Sequence, residues 1–196
     1  MLRTGYASEP LRSDARQNRA RVIEAAYAVF REQGLDAEMR AIATRAGVSV
    51  ATLYRNFPTR DSLVAAMVDE LTTEFEAGLR EALETADPLA ALRLVLLRQE
   101  ELFERFGVLA LAMQGNPPAA ARWHEGAAQR IALVIAIIER GIAAGILRAD
   151  LDPEIAAHGL LATGGLTMHR RLRERFTLNE LAEARLDLFL RGAASR

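Results

Sequence analysis

One stretch of this 196-residue chain combines residue types and spacing that could do chemistry: Met39-Arg40-Ala41-Ile42-Ala43-Thr44-Arg45-Ala46-Gly47-Val48-Ser49-Val50-Ala51-Thr52-Leu53-Tyr54-Arg55-Asn56-Phe57. At ~100° per residue, Leu53 and Phe57 fall on one side of a short helix, with Val50 and Tyr54 flanking them. Ala51, Thr52, Arg55 and Asn56 fall on the other side. A small residue and a hydroxyl near a helix N-terminus permit close approach to base edges and thymine methyls. The arginine and asparagine beyond them reach bases or phosphates. The implied chemistry is the reading of a major groove, not the making of bonds. Elsewhere we find no nucleophile motif, glycine-rich phosphate loop or paired carboxylates at an arguable site, and no cofactor is expected. Cysteine is absent, which removes thiolate chemistry and Cys-ligated metal. His124, His158 and His169 make no metal site, because the last two would lie roughly 16 Å apart on one helix.

Such a surface needs elements to hold it, and the same stretch supplies them. Two short helices joined by Ala-Gly-Val-Ser meet the requirement of a helix-turn-helix. Ile42 and Ala46 face inward, and Ala43 is small enough for close helix crossing. Gly47 takes the left-handed conformation that ends the first helix, Val48 plugs the core, and Ser49 caps the second. Ahead of them, Val22, Ile23, Ala26, Val29 and Phe30 recur at helical spacing in a helix opened by Ser13 and Asp14 and closed by Gly34. Pro58 ends the third helix, and Arg60-Asp61-Ser62 starts a long fourth to about Thr85. Further helices are expected from Pro88 to about Gly107, on to about Gln114, from Ala119 to Gly145, from Pro153 to Arg173 with Asp152 as cap, and from Leu178 to about Arg191. Strand and hairpin signals are nearly absent. The expected fold is all-α, with about nine helices.

The composition, 51% hydrophobic and 26% charged, is that of a globular protein. The longest apolar run, Ile131 to Ile138, is far short of the ~20 residues that span a bilayer, and residues 1–12 contain no secretory h-region. A soluble, cytoplasmic protein with no membrane partner is expected. The formal net charge of −1 argues against a nucleic-acid partner only until it is divided by region. All the basic residues are arginine. Residues 1–60 carry a net +4 and residues 61–196 a net −5.

Residues 16–70 resemble the DNA-binding domain of TetR-family transcriptional regulators. The resemblance rests on Val22-Ile23-Glu24-Ala25-Ala26 with Phe30 and Gly34, on the run Ile42-Ala43 through Ala46-Gly47-Val48-Ser49 to Thr52-Leu53-Tyr54 and Phe57, and on Arg60-Asp61-Ser62-Leu63. A weaker echo covers Glu139-Arg140-Gly141 and Gly145 to Glu154. The resemblance implies that Tyr54 donates to a backbone phosphate and that Arg60, where the family usually has lysine, binds another. Arg40 matches a position that reaches a base or phosphate. Val50, Ala51, Thr52 and Asn56 match recognition-helix positions. With Ser49 and Arg55 these complete the expected DNA-binding set. The chain departs from the family at Ala51, where glycine is usual, at Asn56, where histidine is usual, and at Glu38. There a carboxylate replaces a threonine that caps helix two and contacts phosphate, and it would repel DNA unless turned away or paired with Arg40.

The resemblance divides the chain into a mobile arm (1–12), a helix-turn-helix domain (13–60) and a regulatory and dimerisation domain (61–196). It implies a homodimer, a repressor on a palindromic double-stranded operator, and release by a small-molecule effector. It also implies that the dimer contact lies on the last two helices, about 154–172 and 178–191, an expectation supported by small residues at Ala156, Ala157, Gly159, Ala162, Gly164 and Gly165 and by a stripe of Leu178, Leu181 and Leu188. Phe103, Phe106, Met113, Trp123 and His124 are the candidate effector-binding residues, and their apolar character points to a largely apolar ligand. The competing expectations are an all-helical protein-interaction module, which leaves the basic bias of residues 1–60 unexplained, and a helical enzyme, for which no catalytic constellation is present.

Overall fold

The structure, a computed structural model, describes residues 9–194. Among the described residues there are ten helices and no strand: α1 (Glu9–Gln33), α2 (Met39–Ala46), α3 (Val50–Asn56), α4 (Arg60–Glu84), α5 (Pro88–Gln114), α6 (Pro117–His124), α7 (Ala127–Ala143), α8 (Pro153–Ala162), α9 (Leu166–Leu172) and α10 (Leu178–Ala193). The expected arm covers residues 1–12. Residues 1–8 of it lie outside the described residues, and α1 begins at Glu9.

The chain forms two compact units. The first contains the described residues up to Met67 together with Val108–Ala119. Its core is built from the apolar stripe of α1 (Val22, Ile23, Ala26, Val29, Phe30), from Met39, Ile42, Ala43 and Ala46 of α2, from Leu53 and Phe57, and from Leu63, Val64 and Met67 of α4. Apolar burial of this kind stabilises by roughly 25 cal/mol per Å². The Tyr27 hydroxyl donates to the Met67 carbonyl at 3.0 Å, so the one polar atom that this buried ring carries is satisfied. Asn116 accepts from the Ala119 amide at 3.1 Å, which turns the chain into α6 after the Gly115 break.

The second unit contains Val68–Gly107 and the described residues from Ala120 onward. Its core gathers Leu79 and Ala82, Leu92, Val95 and Leu96, Val134, Ile137 and Ile138, Ala157 and Leu160, and Ala182 and Leu186. Inside it lies a polar cluster that no periodicity announces. Glu100 of α5, buried, pairs with Arg185 of α10 at 2.5 Å and with Nδ1 of His169 at 2.5 Å. Arg185 also donates to Gln99, to the Thr163 hydroxyl at 3.1 Å and to the Leu160 carbonyl at 3.3 Å. Burial pushes the Arg185 guanidinium below the usual arginine range, and Glu100 partly offsets the shift.

The first helix begins at Glu9 and not at Ser13, so residues 9–12 belong to it and not to the expected arm; three further helix boundaries differ from the sequence expectation, each for a local reason. The helix from Pro88 continues through Gly107 to Gln114 as one element, because a single mid-helix glycine costs only about 1 kcal/mol and fully buried Leu109 follows it. The expected helix Ala119–Gly145 is interrupted at Gly126, whose φ of +76° is left-handed; Arg130 holds the break by donating to the carbonyls of Trp123 (2.6 Å) and Glu125 (3.0 Å). The expected helix from Pro153 to Arg173 stops at Ala162, because Arg185 and Gln99 take the carbonyls that would otherwise continue it. Asp152 caps α8 as expected, accepting from Ile155 at 2.9 Å.

Candidate nucleic-acid interface

The geometry of the first unit follows from how α2 ends and α3 begins. Gly47 sits at φ 65°, ψ 36°, a conformation in which a Cβ would be strained, and it closes α2. Ser49 then caps α3: its Oγ accepts from the Thr52 amide at 3.1 Å and lies 2.9 Å from the Thr52 hydroxyl. Leu53 and Phe57 are 0% and 1% exposed, so α3 is fastened by a narrow stripe. Because a seven-residue helix buries little more than that, its flanks stay in solvent. Val50 and Tyr54, which the helical wheel set beside the buried stripe, are 37% and 46% exposed and stand with Ala51 and Arg55 on the outer surface. Asn56 is half-buried and donates to the Thr52 carbonyl at 2.8 Å.

Arg40 is exposed in the first turn of α2. Among the described residues neither Arg40 nor Arg55 has a carboxylate partner, so both guanidinium groups remain free for an external anion. Glu38 occupies the N-cap of α2 without making a side-chain cap bond, and it is not paired with Arg40. Arg60 behaves differently from the rest of the expected set. Its guanidinium turns back under the α1–α2 loop, donating to the Leu35 carbonyl and to that of Ala37 at 2.6 Å, with Asp36 at 3.9 Å.

Two residues that sequence reasoning passed over also touch this unit's recognition elements. Arg21 of α1 donates to the carbonyls of Ala46 (2.5 Å) and Gly47 (3.1 Å). Arg19 lies 4.8 Å from the centre of the Phe57 ring. Their partners are 25 or more positions away in the chain, and no local pattern in the sequence marks such a pairing.

In the second unit the expected effector residues do not form one cluster. Phe106 and Trp123 stack with ring centres 4.3 Å apart, and Arg130 covers Trp123 at 5.3 Å. Phe103 instead meets His169, at 5.6 Å. His124 is exposed at the end of α6, and Met113 belongs to the first unit.

A helix-turn-helix with an outward recognition helix, followed by an all-helical second unit, defines the class: a DNA-binding regulator of helical build. Residues 22–67 match the family model described as bacterial regulatory proteins, tetR family. The regulatory protein RaaS of Mycobacterium tuberculosis is 30% identical over 147 residues, which is 74% of this chain and 67% of RaaS. PfmR of Thermus thermophilus, a TetR-family regulator, superposes with a TM-score of 0.72 at 26% identity, covering 88% of this chain and 98% of PfmR. SmeT, solved with triclosan, shares the fold at a TM-score of 0.68 and 22% identity, over 91% of this chain and 92% of its own. The chain belongs to the TetR family of transcriptional regulators; it is a regulator and not an enzyme. Among the described residues no helix is long and apolar enough to cross a membrane.

Proposed function

We propose that this protein is a repressor that binds a palindromic operator as a homodimer and leaves it when a small, largely apolar effector binds. The observation that carries the DNA reading is the outer surface of α3 beside α2, where Val50, Ala51, Tyr54 and Arg55 are exposed and Arg40 and Arg55 lack protein partners among the described residues. In this reading Tyr54, Arg40 and Arg55 meet phosphates or base edges, while Ala51, Val50 and Thr52 meet bases. Ser49 and Asn56 hold the helix that presents them, and Arg60 steadies the loop leading into α2.

The dimer reading rests on α8 and α10. Ile155 and Leu188 are 73% and 63% exposed, and small residues (Gly159, Ala162, Ala184) are exposed on the same two helices. Leu181 is buried within its own chain, so Ala184 and Leu188 continue the outer stripe without it. In this reading the two recognition helices of a two-fold dimer meet successive major grooves, which lie one DNA turn, about 34–36 Å, apart. The effector reading rests on the Phe106–Trp123 pair and Phe103. SmeT, which has this fold, represses a multidrug efflux pump in Stenotrophomonas maltophilia. Release follows if the effector binds one arrangement of the dimer more tightly than the other.

The test is selection from randomised duplexes with purified protein, followed by binding curves at several salt concentrations. A palindromic consensus with salt-sensitive affinity is expected; Tyr54→Phe weakens all sites about equally, and Thr52→Ala changes base preference. Failure to enrich any sequence, or equal effects of both variants on preference, refutes the reading.

A further inference from the structure

Two arginines of α1 touch the segments that flank α3, the turn ahead of it and the C-cap after it. Ahead of α3, the Arg21 Nη2 donates to the Ala46 and Gly47 carbonyls at 2.5 and 3.1 Å. These are the terminal carbonyls of α2, left without intrahelical donors by the left-handed turn at Gly47. A guanidinium there is doubly favourable, since it also meets the negative end of the α2 dipole. Its other branch is steadied by Asn18 at 3.4 Å. The fit is close on the turn side, where a Cβ at Gly47 would stand 2.8 Å from Nη2. After α3, Arg19 of the same turn of α1 rests over the Phe57 ring. Between these two grips α3 has only Leu53 fully buried along its length, with Phe57 at its C-cap.

We propose that Arg21 is a positioning residue for sequence recognition: by holding the α2–α3 turn against α1 it sets how α3 is seated, and thus which base edges Val50, Ala51 and Thr52 meet. The proposal rests on the DNA-binding reading above. It assigns to Arg21 no contact with DNA, although Arg21 is exposed and basic and belongs to the half of the chain with net positive charge. Within the turn the Gly47 and Val48 amides donate to the Thr44 and Ala43 carbonyls, which ties the start of α3 to α2; the two-carbonyl grip of Arg21 adds the tie from that turn to α1. Lysine at this position keeps the charge but not the planar fork, which Asn18 and the two carbonyls engage from different sides.

The test compares the full chain with Arg21→Met and Arg21→Lys on a selected operator and on non-specific duplex, across a salt series, with melting temperature measured alongside. For Arg21→Met the expected result is a fall of about tenfold in the ratio of specific to non-specific affinity, comparable to one mismatched base pair, with relaxed preference at the positions that α3 reads. The slope of log K against log salt stays as in the parent, because no phosphate contact is lost. Arg21→Lys recovers part of the ratio. A slope reduced by about 0.9 for each head makes Arg21 a phosphate contact and overturns the proposal. So does a parallel fall of specific and non-specific affinity that follows the melting temperature, which is the mark of a purely structural role, and so does an unchanged ratio. If Arg21→Met does not fold, Arg21→Lys carries the same comparison, with a reduced ratio at parental slope expected. A parent protein that selects no sequence refutes the DNA-binding reading itself, an outcome distinct from all of these.

Discussion

Removing Arg185 leaves several buried groups unsatisfied at once, and the consequence can be worked from the structure. The side chain is 4% exposed and Glu100, its partner, 3%. Arg185→Met preserves most of the stem but leaves the Glu100 carboxylate with only His169, and it strips donors from Gln99, Thr163 and the Leu160 carbonyl. Breaking one side of a buried ion pair costs about 3–5 kcal/mol, and we expect about 4 kcal/mol here. Glu100→Gln leaves Arg185 unpaired instead and falls in the same range. The double variant leaves neither charge stranded, so its cost falls short of the sum of the two by about 2–3 kcal/mol. The chain's one tryptophan, Trp123, lies in the same unit, which makes urea unfolding followed by its fluorescence the appropriate assay. With a slope of about 2 kcal/mol per molar urea, the single variants lower the midpoint by about 2 M. A cost below about 1 kcal/mol, or strict additivity in the double variant, refutes the reasoning, because a cluster that tolerates either outcome is not holding α5, α8 and α10 together.

Two further outcomes follow from the same surfaces. Burial pushes the Glu104 carboxyl up, but Arg173 and His169 outweigh it, and Glu180 is held down by the Thr177 amide and hydroxyl; both therefore stand below the ordinary carboxylate range. The stability they contribute is complete above the unfolded-state value of about 4.3 and is lost as pH falls through their lower folded values, so urea midpoints drop as pH falls below about 4.3, and Glu104→Gln flattens that decline. For the dimer face, Ile155→Glu with Leu188→Glu changes chain stability by less than about 1 kcal/mol, since both side chains are exposed in the single chain, yet it halves the mass seen by sedimentation. A variant that stays dimeric places the interface elsewhere.

What the sequence made legible is what local physics decides. The helix-turn-helix could be read because its parts lie within about twenty residues: a left-handed glycine, a serine cap and two apolar residues four apart. The cap of α8 was equally plain, since Asp152 and Pro153 are adjacent. The breaks at Gly126 and after Ala162 were not. Each is fixed by an arginine, Arg130 or Arg185, which takes helix-terminal carbonyls, and the second does so from 25 residues away. Helical periodicity runs through both sites unbroken. The buried Glu100–His169–Arg185 cluster was hidden for the same reason: a charged residue on a helix reads as solvated until its partners are placed around it.

The regional charge count needs the same correction. Residues 1–60 carry a net +4, which allowed a nucleic-acid partner, yet the arginines there are not equivalent. Arg21 and Arg60 donate to backbone carbonyls, Arg45 pairs with Glu32 at 2.7 Å, and Arg19 lies over Phe57. Those four build the head rather than charge its surface. Arg40 and Arg55 are the described recognition-element arginines without a partner, and they flank the outer face of the helix-turn-helix. Net charge therefore admitted the right class of partner for a partly wrong reason. Four of the ten arginines in residues 1–60 work on the fold, and attraction for DNA depends on where unengaged arginines such as Arg40 and Arg55 are held, which is what the engaged ones determine.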